Sequence, residues 1–177
     1  MTEKANQFMN FLCEAMALEK KEADFFQKAA KDCTQDMGRE IFSMLAAEEA
    51  EQGKGLKEIY DSLKDEEKWP GTCAIFSKDL MELQSSFDAA ARRHMTYMKA
   101  GGEIPQALEV AIGIEKDSLA FYEKNAKGMA DPAGAKLLTA LVEGERGHLL
   151  MLLDMQQFYT DPEGYFLEKE HRGLDGA

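Results

Sequence analysis

Residues 11–52, FLCEAMALEKKEADFFQKAAKDCTQDMGREIFSMLAAEEAEQ, and residues 107–148, ALEVAIGIEKDSLAFYEKNAKGMADPAGAKLLTALVEGERGH, read as one helical hairpin written twice. A shift of 96 aligns them without a gap and makes 11 of 42 positions identical. The matches include Leu12/Leu108, Ala15/Ala111, Glu19/Glu115, Lys20/Lys116, Gly38/Gly134, Leu45/Leu141 and Glu49/Glu145. Common helix composition would not hold one register across an intervening turn, and Gly38/Gly134 sits at that turn. The two halves are therefore expected to be related by an approximate two-fold.

Within each copy, apolar residues recur every three and four positions, as one face of a helix requires. The stripes are Phe8, Leu12, Ala15 and Phe26; Ile41, Leu45, Leu56 and Ile59; Leu108, Ala111, Ile114 and Tyr122; Leu138, Leu141, Leu152 and Met155. They predict helices over about 4–31, 36–63, 105–127 and 131–159, the last opened by Asp131 as cap and Pro132 at the first helical position. Short joins at 33–37 and 128–131 make each pair an antiparallel hairpin. A crossover of residues 64–104 separates them, opening with Lys68-Trp69-Pro70-Gly71 and closing with Gly101-Gly102. Inside it Leu80, Leu83, Phe87, Ala90, Ala91 and Met95 repeat helically and predict an extra helix. No sustained strand pattern exists. The fold class expected is all-α: a four-helix bundle over residues 1–159 made of hairpins 4–63 and 105–159. Residues 160–177 are expected as a surface tail pinned by Tyr165 and Phe166.

The chain has 177 residues, 45% of them apolar, which is enough for one domain with a real core. Lys plus Arg number 21 against 33 Asp plus Glu, a net charge of −12. Such a surface repels phosphate backbones, so nucleic acid is not an expected partner. No apolar run approaches the roughly 18–20 residues of a membrane span, so no membrane is expected either. The opening Met-Thr-Glu-Lys-Ala-Asn lacks the basic and apolar regions of a signal peptide, and Cys13, Cys33 and Cys73 form no CxxC pair. The expectation is a cytoplasmic, reduced protein whose cysteines are small buried hydrophobes.

Polar residues interrupt every apolar stripe at mid-helix. Glu19 and Glu22 fall between Ala15 and Phe26; Glu49 and Gln52 between Leu45 and Leu56. Glu115 and Ser118 fall between Ala111 and Tyr122; Glu145 and His148 between Leu141 and Leu152. The repeat superimposes Glu19 on Glu115, Glu49 on Glu145 and Gln52 on His148. One such glutamate is ordinarily a solvated helix charge, as Glu48, Glu51 and Glu143 are expected to be. Four in two-fold register, with a histidine, are not. Each isolated buried ion costs several kcal/mol, about as much as a large part of a domain's whole stability of roughly 5–15 kcal/mol. The carboxylates must be protonated, solvated or neutralised, and two divalent cations carry the charge that balances four of them. One Glu from each of two helices plus Glu-x-x-His from the others is a dinuclear carboxylate ligand set. Glu145-Arg146-Gly147-His148 is that motif, and Glu49-Ala50-Glu51-Gln52 has Gln for His. Oxygen and imidazole donors together suit iron or manganese. His94 and His171 lack ligand spacing, and Tyr122 faces the predicted centre as a packing residue able to hydrogen-bond a ligand.

In Leu18-Glu19-Lys20, Ile114-Glu115-Lys116 and Glu145–His148 the sequence resembles the rubrerythrin branch of the ferritin-like superfamily. The ending Asp161-Pro162-Glu163-Gly164-Tyr165-Phe166 is also similar. The resemblance implies a non-haem di-iron centre in which Glu49 and Glu145 bridge and Glu19 and Glu115 each bind one metal terminally. It implies reduction of peroxide, or oxidation of ferrous iron by oxygen or peroxide. The long crossover resembles that of dimer-forming rubrerythrins, so a homodimer is expected. Many relatives carry a four-cysteine rubredoxin-like domain; with no CxxC here, a separate rubredoxin-like electron donor is implied. Two departures matter. Gln52 stands at the second histidine, and Ser118 stands where rubrerythrins can carry a further glutamate for the same metal. The expected centre is asymmetric: Glu22, Glu115 and His148 hold one metal firmly, while Glu19 and Gln52 hold the other weakly or with water. A single metal, or loss of redox competence, is the alternative that Gln52 supports.

Overall fold

The computed structural model describes residues 3–66, 85, 87–92 and 105–174. Five helices account for most of them: α1 Glu3–Asp32, α2 Asp36–Glu66, α3 Ala107–Ala126, α4 Pro132–Thr160 and α5 Pro162–Leu174. No strand occurs among the described residues. The first four helices match the expected spans to within a few residues. The reason is visible at their ends. Asp131 is extended and accepts hydrogen bonds from the backbone N–H of Ala133 (2.9 Å) and Gly134 (2.8 Å), with Pro132 behind it. That satisfies two donors that the first turn of α4 would otherwise leave bare.

The outer faces carry ion pairs one turn apart, Lys20–Asp24 at 2.6 Å together with Lys28–Asp32 and Lys57–Asp61. Exposed pairs of this kind are screened by water and contribute little. The fold is held by its inner faces, which form two apolar clusters. One joins Phe26 of α1, Ile41, Phe42 and Leu45 of α2, Leu108 and Ala111 of α3, and Leu152, Met155 and Phe158 of α4. The other joins Leu12 and Ala15 of α1, Leu56 and Ile59 of α2, Tyr122 of α3, and Leu138 and Leu141 of α4. Each of α1–α4 contributes to both clusters, and the polar residues of its stripe fall between its two contributions. The site is thus a polar layer sandwiched between two dry cores.

The last segment differs from the expected tail. Asp161-Pro162 does end α4, but it also starts α5, because proline fits the first turn of a helix and the Asp161 carboxylate accepts from the N–H of Gly164 at 2.9 Å. Tyr165 is the pin: it is buried, and its hydroxyl donates to Asp88 at 2.6 Å. Its ring meets Phe87 and Phe158, with centroids at 5.6 and 5.8 Å. Residues 87–92 of the crossover are helical, with Phe87, Ala90 and Ala91 buried against the first core. The rest of the expected crossover helix, the breakers at 68–71 and 101–102, Cys73, His94 and the side chain of His171 lie outside the described residues. Cys13 is exposed rather than buried, since it sits one residue off the stripe that Leu12 belongs to; Cys33 is half-buried.

Gly38, one of the repeated glycines, has a steric reason. A Cβ there would stand 2.5 Å from Cys33 Sγ and 3.3 Å from Pro105 Cγ. At Gly134 the obstacle is the flexible end of Met129. Gly38→Ala is therefore expected to cost about 1–2 kcal/mol despite alanine's better helix propensity, and Gly134→Ala much less. Thermal melts of the two variants side by side check this, the first falling by about 5 °C.

Candidate metal centre

Glu19, Glu49, Gln52, Glu115, Ser118, Glu145 and His148 are all 0% exposed and Glu22 is 1% exposed, so the whole predicted constellation is inside the bundle. Spacing explains how each helix delivers its pair. Residues three apart lie on one helical face, so Glu19 and Glu22, Glu49 and Gln52, Glu115 and Ser118, and Glu145 and His148 each project together. Gly53 brings α1 and α2 close at this level, because a Cβ on it would stand 3.3 Å from the Cβ of Glu19.

The side chains converge. His148 Nδ1 lies 2.7 Å from Glu49 Oε1 and 3.9 Å from Glu115 Oε2. One donor atom each from Glu49, Glu145 and His148 fall within 4.8 Å of one another, and so do one oxygen each from Glu19, Glu22, Glu49 and Glu145. Donors on opposite sides of one first-row ion are about 4 Å apart, so either group can close around a cation. Glu49 and Glu145 belong to both groups.

Two hydroxyls orient the carboxylates. Tyr122 donates to Glu19 Oε1, and Ser118 donates to Glu22 Oε1 at 2.7 Å. Tyr122 thus does more than pack. Ser118, identified from sequence only as an absent ligand, holds the carboxylate that stands opposite it in the repeat. The repeat by itself turns Glu22 toward Glu115 and His148. In the structure Glu22 stands between the two halves: its oxygen is grouped with Glu19, while among the carboxylates Glu115 acts on it most strongly. Glu48, expected in solvent, is buried at 8% exposure beside the centre, whereas Glu51 and Glu143 are exposed as expected.

Beyond those two hydroxyls the layer is offered no hydrogen bond from outside itself; the His148–Glu49 approach at 2.7 Å is between two of its own members. Both oxygens of Glu49, Glu115 and Glu145, both side-chain polar atoms of Gln52, both ring nitrogens of His148 and one oxygen each of Glu19 and Glu22 are buried with no donor or acceptor from outside the layer. Burial pushes the carboxyls of Glu22, Glu49 and Glu115 up to about 8. It raises Glu19 and Glu145 well above the usual carboxylate range, with Glu49 adding repulsion to both. Buried polar atoms are almost always paired in folded proteins. Twelve such donor and acceptor atoms in one layer, nine of them oxygen, fit cations that take oxygen and imidazole ligands.

A helical bundle with a buried layer of glutamates and a histidine defines the class of ferritin-like carboxylate metal proteins. The family model for rubrerythrin matches residues 10–156, and the chain belongs to the rubrerythrin family. That family binds iron, and the match covers all the residues of the layer. No curated protein and no solved structure matches it significantly. No helix among the described residues is long and apolar enough to cross a membrane.

Proposed function

We propose that the protein is a non-haem di-iron oxidoreductase of rubrerythrin type, reducing hydrogen peroxide or oxidising ferrous iron inside the bundle. The observation that carries this reading is the layer of five buried carboxylates and one imidazole, whose acids face one another and one histidine with only two hydroxyls to pair them from outside the set. Glu19 and Glu115 would be terminal ligands, Glu49 and Glu145 bridges, His148 a ligand beside Glu115, and Glu22 and Gln52 further donors. When bound, the two irons supply the electrons: each passes from ferrous to ferric, and the pair delivers the two that hydrogen peroxide needs to become two waters.

The two protons of that reduction are the protein's task. In the metal-free layer burial holds protons on Glu22, Glu49 and Glu115; bound cations would displace them, so the proton-bearing groups left beside the ligands are the hydroxyls of Tyr122 and Ser118. The Tyr122 hydroxyl on Glu19 and the Ser118 hydroxyl on Glu22 keep one oxygen of each carboxylate fixed, leaving the other free to turn. The apolar clusters above and below keep bulk water away from the reacting layer. Re-reduction would draw electrons from a separate carrier such as a rubredoxin-like protein, since these 177 residues contain no CxxC. We further propose a cytoplasmic homodimer, to be checked by a solution mass twice the 19.8 kDa of the chain.

Gln52 favours a second reading, a metal-binding or regulatory protein with one impaired site and no turnover. An amide oxygen is a much weaker ligand than imidazole, and Gln52 is fully buried in the place that His148 holds in the other hairpin. Anaerobic Fe(II) loading followed by peroxide decides between the two. About two irons per chain, with ferric near-ultraviolet absorption developing as peroxide is consumed, is the expected result. One metal or fewer, with no absorption change, would establish the second reading instead.

A further inference from the structure

We propose that Cys33 is a modification site: its thiol is oxidised by hydrogen peroxide and captured as a mixed disulfide by a small peptide thiol seated in the cavity beside it. The site lies where α1 gives way to α2, apart from the carboxylate layer, and rests on no reading of that layer.

Three observations meet at this sulfur. Cys33 is half-buried, and its Sγ is held by Gln35, donating to the side-chain Oε1 at 3.2 Å and to the backbone carbonyl at 3.6 Å. It lies against the first turn of α2, since a Cβ on Gly38, the third residue of that helix, would stand 2.5 Å from it. The first N–H groups of a helix have no partner within it, and they stabilise negative charge on a sulfur or on an oxygen bound to sulfur.

The second observation is the Tyr159 hydroxyl. Among the described residues it is the one buried side-chain polar atom outside the metal layer that makes no hydrogen bond, and Tyr159 is 1% exposed. The Gly38 N–H approaches its oxygen, so what is missing is an acceptor for its proton. Of the ionisable groups around it, Cys33 acts on it most strongly, and burial pushes its pKa up to about 12, so the proton stays in place. Buried hydroxyls are nearly always paired. An oxygen arriving on the Cys33 sulfur supplies the acceptor.

The third is space. Cys33 lines a cavity of about 490 Å³, a volume that encloses a small molecule. Phe25, Phe42 and Pro105 give it apolar walls, while Lys28, Gln35 and Gln106 bring groups suited to carboxylates and peptide units.

The chemistry balances in two steps. The sulfur attacks one peroxide oxygen: an S–O bond forms, the O–O bond breaks, and the thiol proton leaves with the second oxygen as water. Cys33 has lost two electrons and is a sulfenic acid. The thiol in the cavity then attacks that sulfur: an S–S bond forms, the S–O bond breaks, and the departing hydroxide takes the attacking thiol's proton as a second water. Tyr159 donates to the sulfur-bound oxygen in between.

The test treats the full chain, carrying Cys73→Ser so that Cys33 and Cys13 are the thiols compared, with hydrogen peroxide and reduced glutathione in chelator. Peptides are then mapped by mass. Chelator keeps the metal layer out of the reaction, so failure here leaves the function proposed above untouched. Glutathione is expected on Cys33 about tenfold faster than on Cys13, although Cys13 is the more exposed. In urea the two thiols are expected to react alike. Tyr159→Phe keeps the ring and is expected to slow the Cys33 reaction about tenfold, with Cys13 and the melting temperature unchanged. The wild-type chain, mapped in the same way, is expected to carry its adduct on Cys33. Glutathione reaching Cys13 as fast as Cys33 would overturn the proposal. So would Cys33 left free, or oxidised beyond the sulfenic acid without an adduct, and an unslowed Tyr159→Phe would remove the hydroxyl from the site.

Discussion

Stripped of metal, the protein is expected to lose stability as pH rises from about 4.5 to about 8, its melting temperature falling by about 10 °C, while the metal-loaded protein stays nearly level. The sign follows from where the protons are held. Glu22, Glu49 and Glu115 have ordinary carboxyl values of 4.5 when exposed and about 8 inside the fold, with burial as the leading cause. Between those limits the folded state keeps protons that the unfolded state has released. Raising the pH therefore favours unfolding. The stability associated with these groups is fully present below about pH 4.5 and gone once the pH passes 8. A single group shifted this far corresponds to several kcal/mol, and the five carboxyls relieve one another because each protonation removes a repulsion. A net effect of a few kcal/mol, at roughly 2–4 °C per kcal/mol for a chain of this length, gives the expected fall. Cations replace the protons in the loaded protein and remove the dependence. Melts in chelator and in excess metal at four or five pH values measure it; parallel flat profiles would mean that the carboxylates are neutralised by something other than protons or metal.

Much of this layer is legible in the sequence because the duplication acts as an internal check. Glu19 alone is an unremarkable helix residue. Glu19 superimposed on Glu115, with Glu49 on Glu145 and both pairs inside apolar stripes, is a constraint that solvation does not impose. The same repeat made the helix ends readable, since Asp131-Pro132 marks the start of α4 and the aligned Gly38 and Gly134 mark the two turns. What stayed hidden depends on side-chain direction rather than on spacing. Ser118 is three residues from Glu115 and so faces the centre, yet nothing in one dimension says that its hydroxyl reaches Glu22 on the opposite hairpin, 96 positions away. Glu48 precedes Glu49 and belongs to another face by helical phase; its burial comes from what packs around α2, which periodicity does not record. The helix at Pro162–Leu174 was concealed by the very proline that starts it, because Asp-Pro reads equally as the end of one element and the beginning of the next.

The placement of the layer also accounts for its cost. Leu12, Ala15, Leu56, Leu138 and Leu141 close one side, and Phe26, Leu45, Leu108, Leu152 and Met155 the other, so no carboxylate of the layer can turn outward into water without unpacking a core. The bundle buys its metal site with stability that the apolar clusters must supply. That division makes a function-destroying substitution separable from a fold-destroying one.

Glu49→Leu is the substitution in which the two effects should part most widely. Glu49 is fully buried, its polar neighbours are other members of the layer, His148 at 2.7 Å among them, and it belongs to both ligand groups. Replacing a bridging carboxylate with an alkyl chain removes a ligand from each pocket at once, so metal retention after desalting is expected to fall at least a hundredfold and peroxide consumption with it. The metal-free fold should respond in the opposite direction. Exchanging a buried, poorly paired charge for an apolar side chain of similar volume is commonly stabilising, by about 1–4 kcal/mol, and leucine here would extend the contacts of Leu45 and Leu56 on the same helix face. In chelator at pH 8 the variant is expected to melt about 5 °C above the wild type, whereas Glu143→Leu, on the exposed side of α4, should change neither metal content nor melting by more than a degree or two. A variant that melts higher without metal and binds none identifies Glu49 as a residue kept for the cation against the interest of the fold. Retention of a full metal complement would remove Glu49 from the bridge, and a large loss of metal-free stability would mean that its carboxylate is paired within the protein and needs no cation at all.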